Sequence, residues 1–332
     1  MMIVLADKFV MTPEAMQILE RAGNVVWAAE KTESALISKV EGACVIAAEY
    51  NRITERVIDA AKDTLKGVVA YGVGYNHIDV SAASKRGIYV ANCRGSNAEA
   101  VAELAISLML SLCRGVNVAD RFVRGHRWRS DQSAKLPPVL LKATELQGKT
   151  LGLVGMGEVG KRVTRIARGF EMQVRVYDPY LSNDLIKQLG AEPVDFPTLM
   201  KDSDYISVHA PLSDKTRGLV DERAIGLMKP GAYLINTARG PIVDEKALIT
   251  ALRKRKIAGA GLDVFKTEPL SRTSPLLKLD NVLLTPHIAG HTQEGDAGMS
   301  RMTADECVRI VRGEIPLNLV NREELVSMGF RV

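Results

Sequence analysis

The chain has 332 residues, 46% of them hydrophobic and 25% charged, a globular composition with length for about two domains. No apolar run reaches the ~18 residues of a membrane span, and residues 1–11 lack the basic start, apolar stretch and cleavage site of a signal peptide, so a cytoplasmic chain is expected. The formal charge of +5 comes from basic residues interleaved with acids, with no stripe of Lys and Arg among aromatics, which argues against a nucleic-acid partner.

Short apolar runs of β type alternate with amphipathic stretches from the start. MIVLA is followed by a helix opened by Thr12-Pro13, and then VVWAA, ACVIAA, GVVAYGVG and IYVANC with helices between them. Continuous apolar strands imply a parallel sheet covered on both faces, the doubly wound α/β architecture. One long buried linking helix is predicted over residues 98–124, where VAELAISLMLSL keeps apolar residues at helical spacing. A polar, proline-containing crossing at residues 130–146 leads to a second βα series: TLGLVG, VRVYD, YISVHA, AYLIN, AGAGLDV and NVLLTPH. The last helix is predicted over residues 291–312, with Thr292 as N-cap and Gln293 and Glu294 in its first turn. Two long helices thus bracket the second series. The expected plan is a discontinuous first domain, residues 1–98 with 288–332, around a second of residues 99–287. The cysteines Cys44, Cys93, Cys113 and Cys307 form no C-x-x-C pair, so buried reduced thiols are expected rather than a disulfide framework or a metal site.

Residues 150–169 read TLGLVGMGEVGKRVTRIARG, which places Gly155, Gly157 and Gly160 as G-x-G-x-x-G directly after a strand and at the opening of a helix. The first glycine permits the tight turn, the second lets backbone approach a pyrophosphate, and the third allows close strand–helix packing. The next strand ends on Asp178, eighteen residues past Gly160, where an acid binds the ribose hydroxyls of the adenosine. Its charge would repel a 2′-phosphate, and DPYLSND carries no arginine to offset it, so NAD is expected over NADP.

Three later strand ends carry polar residues: INTARG ends on Arg239, GLDVFKTEP delivers Asp263 and Glu268, and LLTPHIAG delivers His287. Reduction of a 2-keto acid needs a cation for the carboxylate, a proton donor for the developing alkoxide, and a group that keeps the donor charged. Arg, His and Glu meet those needs, because a carboxylate beside an imidazole favours its protonated form.

Six ordered segments spread over nearly the whole chain carry a resemblance: YGVGYNHID, NCRGSNAEAVAE, GLVGMGEVG, INTARGPIVDEKAL, AGLDVFKTEPL and TPHIAGHT. They resemble the D-isomer-specific 2-hydroxyacid dehydrogenase family, which includes phosphoglycerate, glyoxylate, hydroxypyruvate and D-lactate enzymes. The resemblance implies a flavodoxin-like substrate domain, a Rossmann NAD-binding domain, and interconversion of a small D-2-hydroxy acid and its 2-keto acid. It implies that Arg239 binds the substrate, that His287 is the acid/base paired with Glu268, and that Asp263 holds the nicotinamide carboxamide. Further cofactor contacts are implied for Glu158, Val159, His209, Ala210, Pro211, Thr237, Ala238 and Gly290. The backbone of Val73, Gly74 and Tyr75 would take the substrate carboxylate. A homodimer is implied, and the regulatory domain of longer phosphoglycerate enzymes is not expected. Ala48 and Ala70 stand where such enzymes grip a phosphate, with Arg52 and Arg94 as the possible replacements, so an unphosphorylated acid is favoured. The alternative is an NAD(H)-sensing, corepressor-like binding protein on the same fold, since fold alone does not fix function. His77 is a candidate cleft residue, His126 and His291 read as structural, and Trp128 is left open between an interface and the cleft.

Overall fold

In a computed structural model that describes residues 1–30, 32–128 and 136–332, the chain divides into two units, Met1–Asn97 with His291–Val332, and Ala98–Gly290. The first contains β1 (Met2–Leu5), α1 (Pro13–Ala22), β2 (Asn24–Trp27), α2 (Glu33–Val40), β3 (Ala43–Ala48), α3 (Glu55–Ala60), β4 (Gly67–Ala70), α4 (Val80–Lys85) and β5 (Tyr89–Ala91). The second contains α5 (Ala98–Arg114), α6 (Val116–Arg124), α7 (Pro138–Leu141), β6 (Thr150–Val154), α8 (Glu158–Gly169), β7 (Gln173–Tyr177), α9 (Asn183–Gln188), β8 (Glu192–Pro193), α10 (Phe196–Asp202), β9 (Tyr205–Val208), α11 (Glu222–Leu227), β10 (Tyr233–Asn236), α12 (Glu245–Arg253), β11 (Gly259–Leu262) and β12 (Val282–Leu284). The chain then returns to the first unit with α13 (Gln293–Val311) and α14 (Arg322–Ser327).

The first sheet has the order β2-β1-β3-β4-β5, all parallel, which is the flavodoxin-like arrangement. Strand β3 explains why its run lacks polar alternation. Val45 and Ala47 face one apolar cluster with Leu19 of α1 and Cys307 and Ile310 of α13, while Ile46 and Ala48 face another with Val57 and Ile58 of α3. The Thr12 side chain caps α1, and Thr292 caps α13 by accepting from the Gly295 amide. Residues after α13 are tied back by buried polar side chains. Glu306 accepts from the amides of Leu317 and Asn318, and Asn321 accepts from the Val90 amide of β5.

The second sheet has the order β12-β11-β10-β9-β6-β7-β8, again all parallel, so chain order reverses direction between β6 and β9. Ligands in such sheets sit beyond the carboxyl ends of the strands at that reversal. Leu151 and Leu153 of β6 pack with Leu108, Met109 and Leu112 of α5, while Val154 faces the cluster under α10, α11 and α12.

Two expectations change. The predicted helix over residues 98–124 is two helices, α5 and α6, bent by 62° at Gly115, whose φ of 63° is left-handed. Residues 288–290 stay with the second unit rather than the first, because Asp263 accepts from the amides of Ile288 and Ala289. The crossing at residues 130–146 lies partly outside the described residues. Among the described residues no single helix is long and apolar enough to cross a membrane, and the four cysteines are buried and unpaired.

Candidate active site

The glycine turn leaves β6 at the reversal point. Gly155 has φ 95°, and a Cβ there would come within 2.9 Å of the Ala210 amide nitrogen, so only glycine fits both the backbone and the space. Gly157 is the N-cap of α8, makes no side-chain cap bond, and a Cβ on it would meet nothing within 4 Å. An uncapped, twelve-residue helix thus presents its first amides beside open space, the arrangement that binds an anion. Val159 packs on the apolar cluster of α8. Glu158 lies next to that anion-binding turn, yet Arg162 at 2.9 Å and Lys161 at 3.0 Å hold its carboxyl below its usual range and offset its charge.

Asp178 follows β7 and does more than the sequence suggests. One oxygen accepts from the Met156 amide of the glycine turn at 2.8 Å and the other from the Tyr180 amide at 2.9 Å, so the carboxylate is fixed in place. A carboxylate has about four acceptor sites, which leaves room for ribose hydroxyls. His209, after β9, donates its amide to Val154, and its Nε2 pairs with Ser207 Oγ. Desolvation pushes its imidazole down to about 4, so it is neutral at neutral pH. Ala210 packs on the core beneath, and the Pro211 carbonyl accepts from Thr216.

Beyond β10, the side chain of buried Asn236 accepts from the Ala238 amide and donates to the Arg239 carbonyl, which shapes the turn through Thr237 and Ala238. The Thr237 hydroxyl is buried and has no partner among the described residues. Arg239 donates to the Ala238 carbonyl at 2.6 Å. Burial lowers the proton affinity of its guanidinium, and the charge of Glu268 opposes that effect. Gly240 follows because any Cβ would overlap the backbone of Phe265.

His287 Nδ1 lies 2.6 Å from Glu268 Oε2, and Glu268 Oε1 accepts from the Phe265 amide at 2.8 Å. Burial pushes the Glu268 carboxyl up, but the bond to His287, the Phe265 amide and the charges of His287 and Arg239 outweigh it, so its net position is below the ordinary range. Glu268 is therefore the acceptor and Nδ1–H the donor, which leaves His287 Nε2 for other work. The backbone of His287 is left-handed, φ 55°, an uncommon conformation for a residue with a side chain.

Asp263 over-determines that conformation. It is fully buried, its carbonyl accepts from the His287 amide, and its carboxylate accepts from Thr285 Oγ1 at 2.6 Å and from the Ile288 and Ala289 amides at 2.9 Å. The resemblance assigns Asp263 to the nicotinamide carboxamide; in the structure its side chain builds the loop on which His287 and Gly290 sit. Sequence reading missed this role, as it missed Asn236, since both act on backbone amides.

In the first unit, Val73, Gly74 and Tyr75 follow β4. The Gly72 carbonyl accepts from the Cys93 amide and the Val73 carbonyl from Asn92, which pins the start of this loop. His77 Nε2 lies 3.1 Å from the Ala48 carbonyl. His291 pairs with Asp296 at 3.0 Å. His126 sits past α6 with φ 52°, and Trp128 is 68% exposed.

A family model described as D-isomer specific 2-hydroxyacid dehydrogenase, NAD binding domain, matches residues 106–289. Glyoxylate reductase of Thermococcus litoralis is 44% identical over 263 residues, covering 79% of each chain. D-3-phosphoglycerate dehydrogenase of Archaeoglobus fulgidus is 40% identical over 86% of this chain, which spans 53% of that longer protein. The solved NADPH-dependent glyoxylate/hydroxypyruvate reductase of Sinorhizobium meliloti, in complex with NADP and malonate, superposes with a TM-score of 0.86 at 29% identity, covering 100% of this chain and 98% of that one.

The orphaned Thr237 hydroxyl, the open Gly157 and the uncapped α8 fit a dinucleotide. Thr237→Val separates that fit from folding. With no bond to lose in the free protein, the melting temperature is expected to hold or rise, while NADH affinity falls about five- to tenfold, one hydrogen bond's worth. Calorimetry and thermal melts on one preparation check both halves; unchanged affinity would remove Thr237 from the site.

Proposed function

The chain belongs to the D-isomer specific 2-hydroxyacid dehydrogenase family, and we propose that it interconverts a small unphosphorylated 2-keto acid, of the glyoxylate or hydroxypyruvate kind, and its D-2-hydroxy acid with NAD(H). The observation that carries this reading is the 2.6 Å pair of His287 and Glu268, held within reach of the charge of Arg239. The relatives named above support keto-acid reduction, and they lend no support to a corepressor role. Ala48 and Ala70, the paired last residues of β3 and β4, supply no cation for a phosphate. We further read the protein as a cytoplasmic homodimer. Exposed Val116 and Val123 on α6 and Val139 and Leu141 on α7 are apolar surface of the kind a partner subunit covers.

Gly155, Gly157 and Gly160 at the turn, with Glu158 and Val159 opening α8, would hold the pyrophosphate, Asp178 the ribose, and His209, Ala210 and Pro211 the adenine. Thr237, Ala238, Asp263 and Gly290 would frame the nicotinamide, which supplies a hydride to the keto carbon when bound. Arg239 binds the keto acid and polarises its carbonyl, and the backbone of Val73, Gly74 and Tyr75 binds its carboxylate. As charge develops on the keto oxygen, His287 passes the proton on Nε2 to it. Glu268 accepts from Nδ1–H, which fixes the tautomer and orients the ring so that Nε2 is the nitrogen left for the substrate. In oxidation the same nitrogen takes the hydroxyl proton back.

His287→Gln keeps the side-chain volume and loses the proton. NADH oxidation with glyoxylate or hydroxypyruvate is expected to lose ~10²–10⁴-fold in kcat, with NADH affinity nearly intact. Retention of more than about a tenth of kcat would place the donor elsewhere. Glu268→Gln removes the carboxylate that accepts from Nδ1 and aims the ring, so kcat is expected to fall in the same assay with NADH affinity nearly intact.

Cofactor choice gives a separate test. Asp178 is fixed by two amides at the end of β7, and its charge opposes a 2′-phosphate by roughly five- to a hundredfold. Lys215 lies 5.8 Å from the Tyr180 ring and is the nearby cation that would act against this. NADH is therefore expected to exceed NADPH in kcat/KM, and parity between the two would show that Asp178 does not decide.

A further inference from the structure

Residues Glu49 and His291 take no part in the chemistry above, yet they lie beside the loop read as the carboxylate binder. Strands β3 and β4 are parallel neighbours with Ala48 opposite Ala70, and the Tyr71 amide donates to the Ala48 carbonyl at 2.8 Å. Glu49 thus leaves the sheet next to the segment that runs through Tyr71 and Gly72 to Val73, Gly74 and Tyr75. His77, further along that loop, reaches back to the Ala48 carbonyl and keeps the two strand ends together. A substrate carboxylate held by the loop after β4 directs attention to the end of β3 for the rest of the molecule, since ligands lie off the carboxyl ends of parallel strands.

Charge at this place is unbalanced. The Glu49 side chain is 13% exposed, and His291 Nε2 stands 3.8 Å from its Oε1, beyond a hydrogen bond. The other ring nitrogen of His291 is engaged by Asp296 at 3.0 Å. Beneath them Asp7, itself buried, accepts from the amides of Glu49, Tyr50 and Asn51 and is fixed at the root of the turn. Two carboxylates, Glu49 and Asp296, therefore flank one imidazole, with Asp7 bound to the Glu49 amide. Burial raises the Glu49 carboxyl, the charge of His291 and a bond from Tyr50 oppose this, the charges of Asp7 and Asp296 add to it, and the balance stands at about 7. Glu49 is mostly ionised at pH 8, and among the described residues no lysine or arginine pairs with it.

We propose that Glu49, beside His291, is a specificity-determining residue that selects keto acids whose only anion is the 2-keto carboxylate and turns away those with a second anionic group on the tail. The inference rests on the proposed reading of Val73, Gly74 and Tyr75 as the carboxylate loop. It acts by repulsion, which discriminates between ligands that share every other contact. The tail phosphate or carboxylate of a larger keto acid would meet the like charges of Glu49 and Asp296.

The test compares kcat/KM at pH 8 for two monoanionic probes, glyoxylate and hydroxypyruvate, with two that carry a further anionic group, oxaloacetate and phosphohydroxypyruvate. In Glu49→Gln the ratio of further-charged to monoanionic probes is expected to rise about tenfold, chiefly through KM, with glyoxylate turnover kept. His291→Gln leaves the Glu49 carboxylate in place, so the same ratio is expected to stay within about twofold of wild type. A ratio that rises in one variant and holds in its neighbour is not the signature of a general loss of folding. If both variants turn over glyoxylate with the ratio unchanged, the inference is overturned and the proposed function stands. If the wild-type protein reduces none of the four probes, both fall together.

Discussion

The 2.6 Å contact between His287 Nδ1 and Glu268 Oε2 is the interaction on which the arrangement of the second unit depends. Neither partner is held by its neighbours in sequence alone. Glu268 is aimed by the Phe265 amide, and the place of Phe265 requires glycine at position 240, the residue after Arg239. His287 is aimed by a left-handed backbone that Asp263 imposes through four bonds from residues 285–289. Strained backbone of this kind costs on the order of 1–3 kcal/mol and persists where the surroundings over-determine it. Here the surroundings are a buried carboxylate satisfied by amides and a hydroxyl, a stable way to keep an anion inside a protein. Under the proposed function that cost is what presents Nε2 of His287 free of other partners.

The ends of β6, β7, β9, β10, β11 and β12 share the task because the parallel sheet brings all six to one edge. The same rule places the loop after β4 and Glu49 after β3 at one edge of the first sheet. Under the proposed function, specificity and chemistry are set by different elements: Arg239, Glu268 and His287 belong to one unit, and the proposed selection against a second anion belongs to the other. Asp7 and Asp263 play matching structural parts, each a buried carboxylate that collects amides after a strand and fixes the turn that carries an ionisable side chain.

Much of the fold was legible in the sequence because parallel strands buried on both faces read as unbroken apolar runs, and ACVIAA and TLGLVG became β3 and β6. The glycine turn with Asp178 was legible for a similar reason, since residue type and spacing carry the physics. The break at Gly115 was not, because apolar spacing continues across it and one glycine does not announce a bend. The two-residue β8 and the short α14 lack the length for a period to show. Asp263 was visible as a polar residue at a strand end and Asn236 was not; both act mainly on backbone groups, which have no sequence signature. Glu49 and His291 are far apart in the chain and meet only because α13 returns to the first unit.

Protonation of the His287 ring is the most direct measure of this account, because an anionic Glu268 requires the proton to be on Nδ1. Nitrogen-15 spectra of protein labelled at the histidine ring, assigned by comparison with His287→Gln, report each ring nitrogen at neutral pH. The account predicts a protonated Nδ1 in the wild type, hydrogen-bonded to Glu268, with exchange between protonated and bare forms confined to Nε2. A bare Nδ1 alongside a protonated Nε2 would contradict it, since the carboxylate would then be the donor and His287 would have no charge to hold a transferable proton.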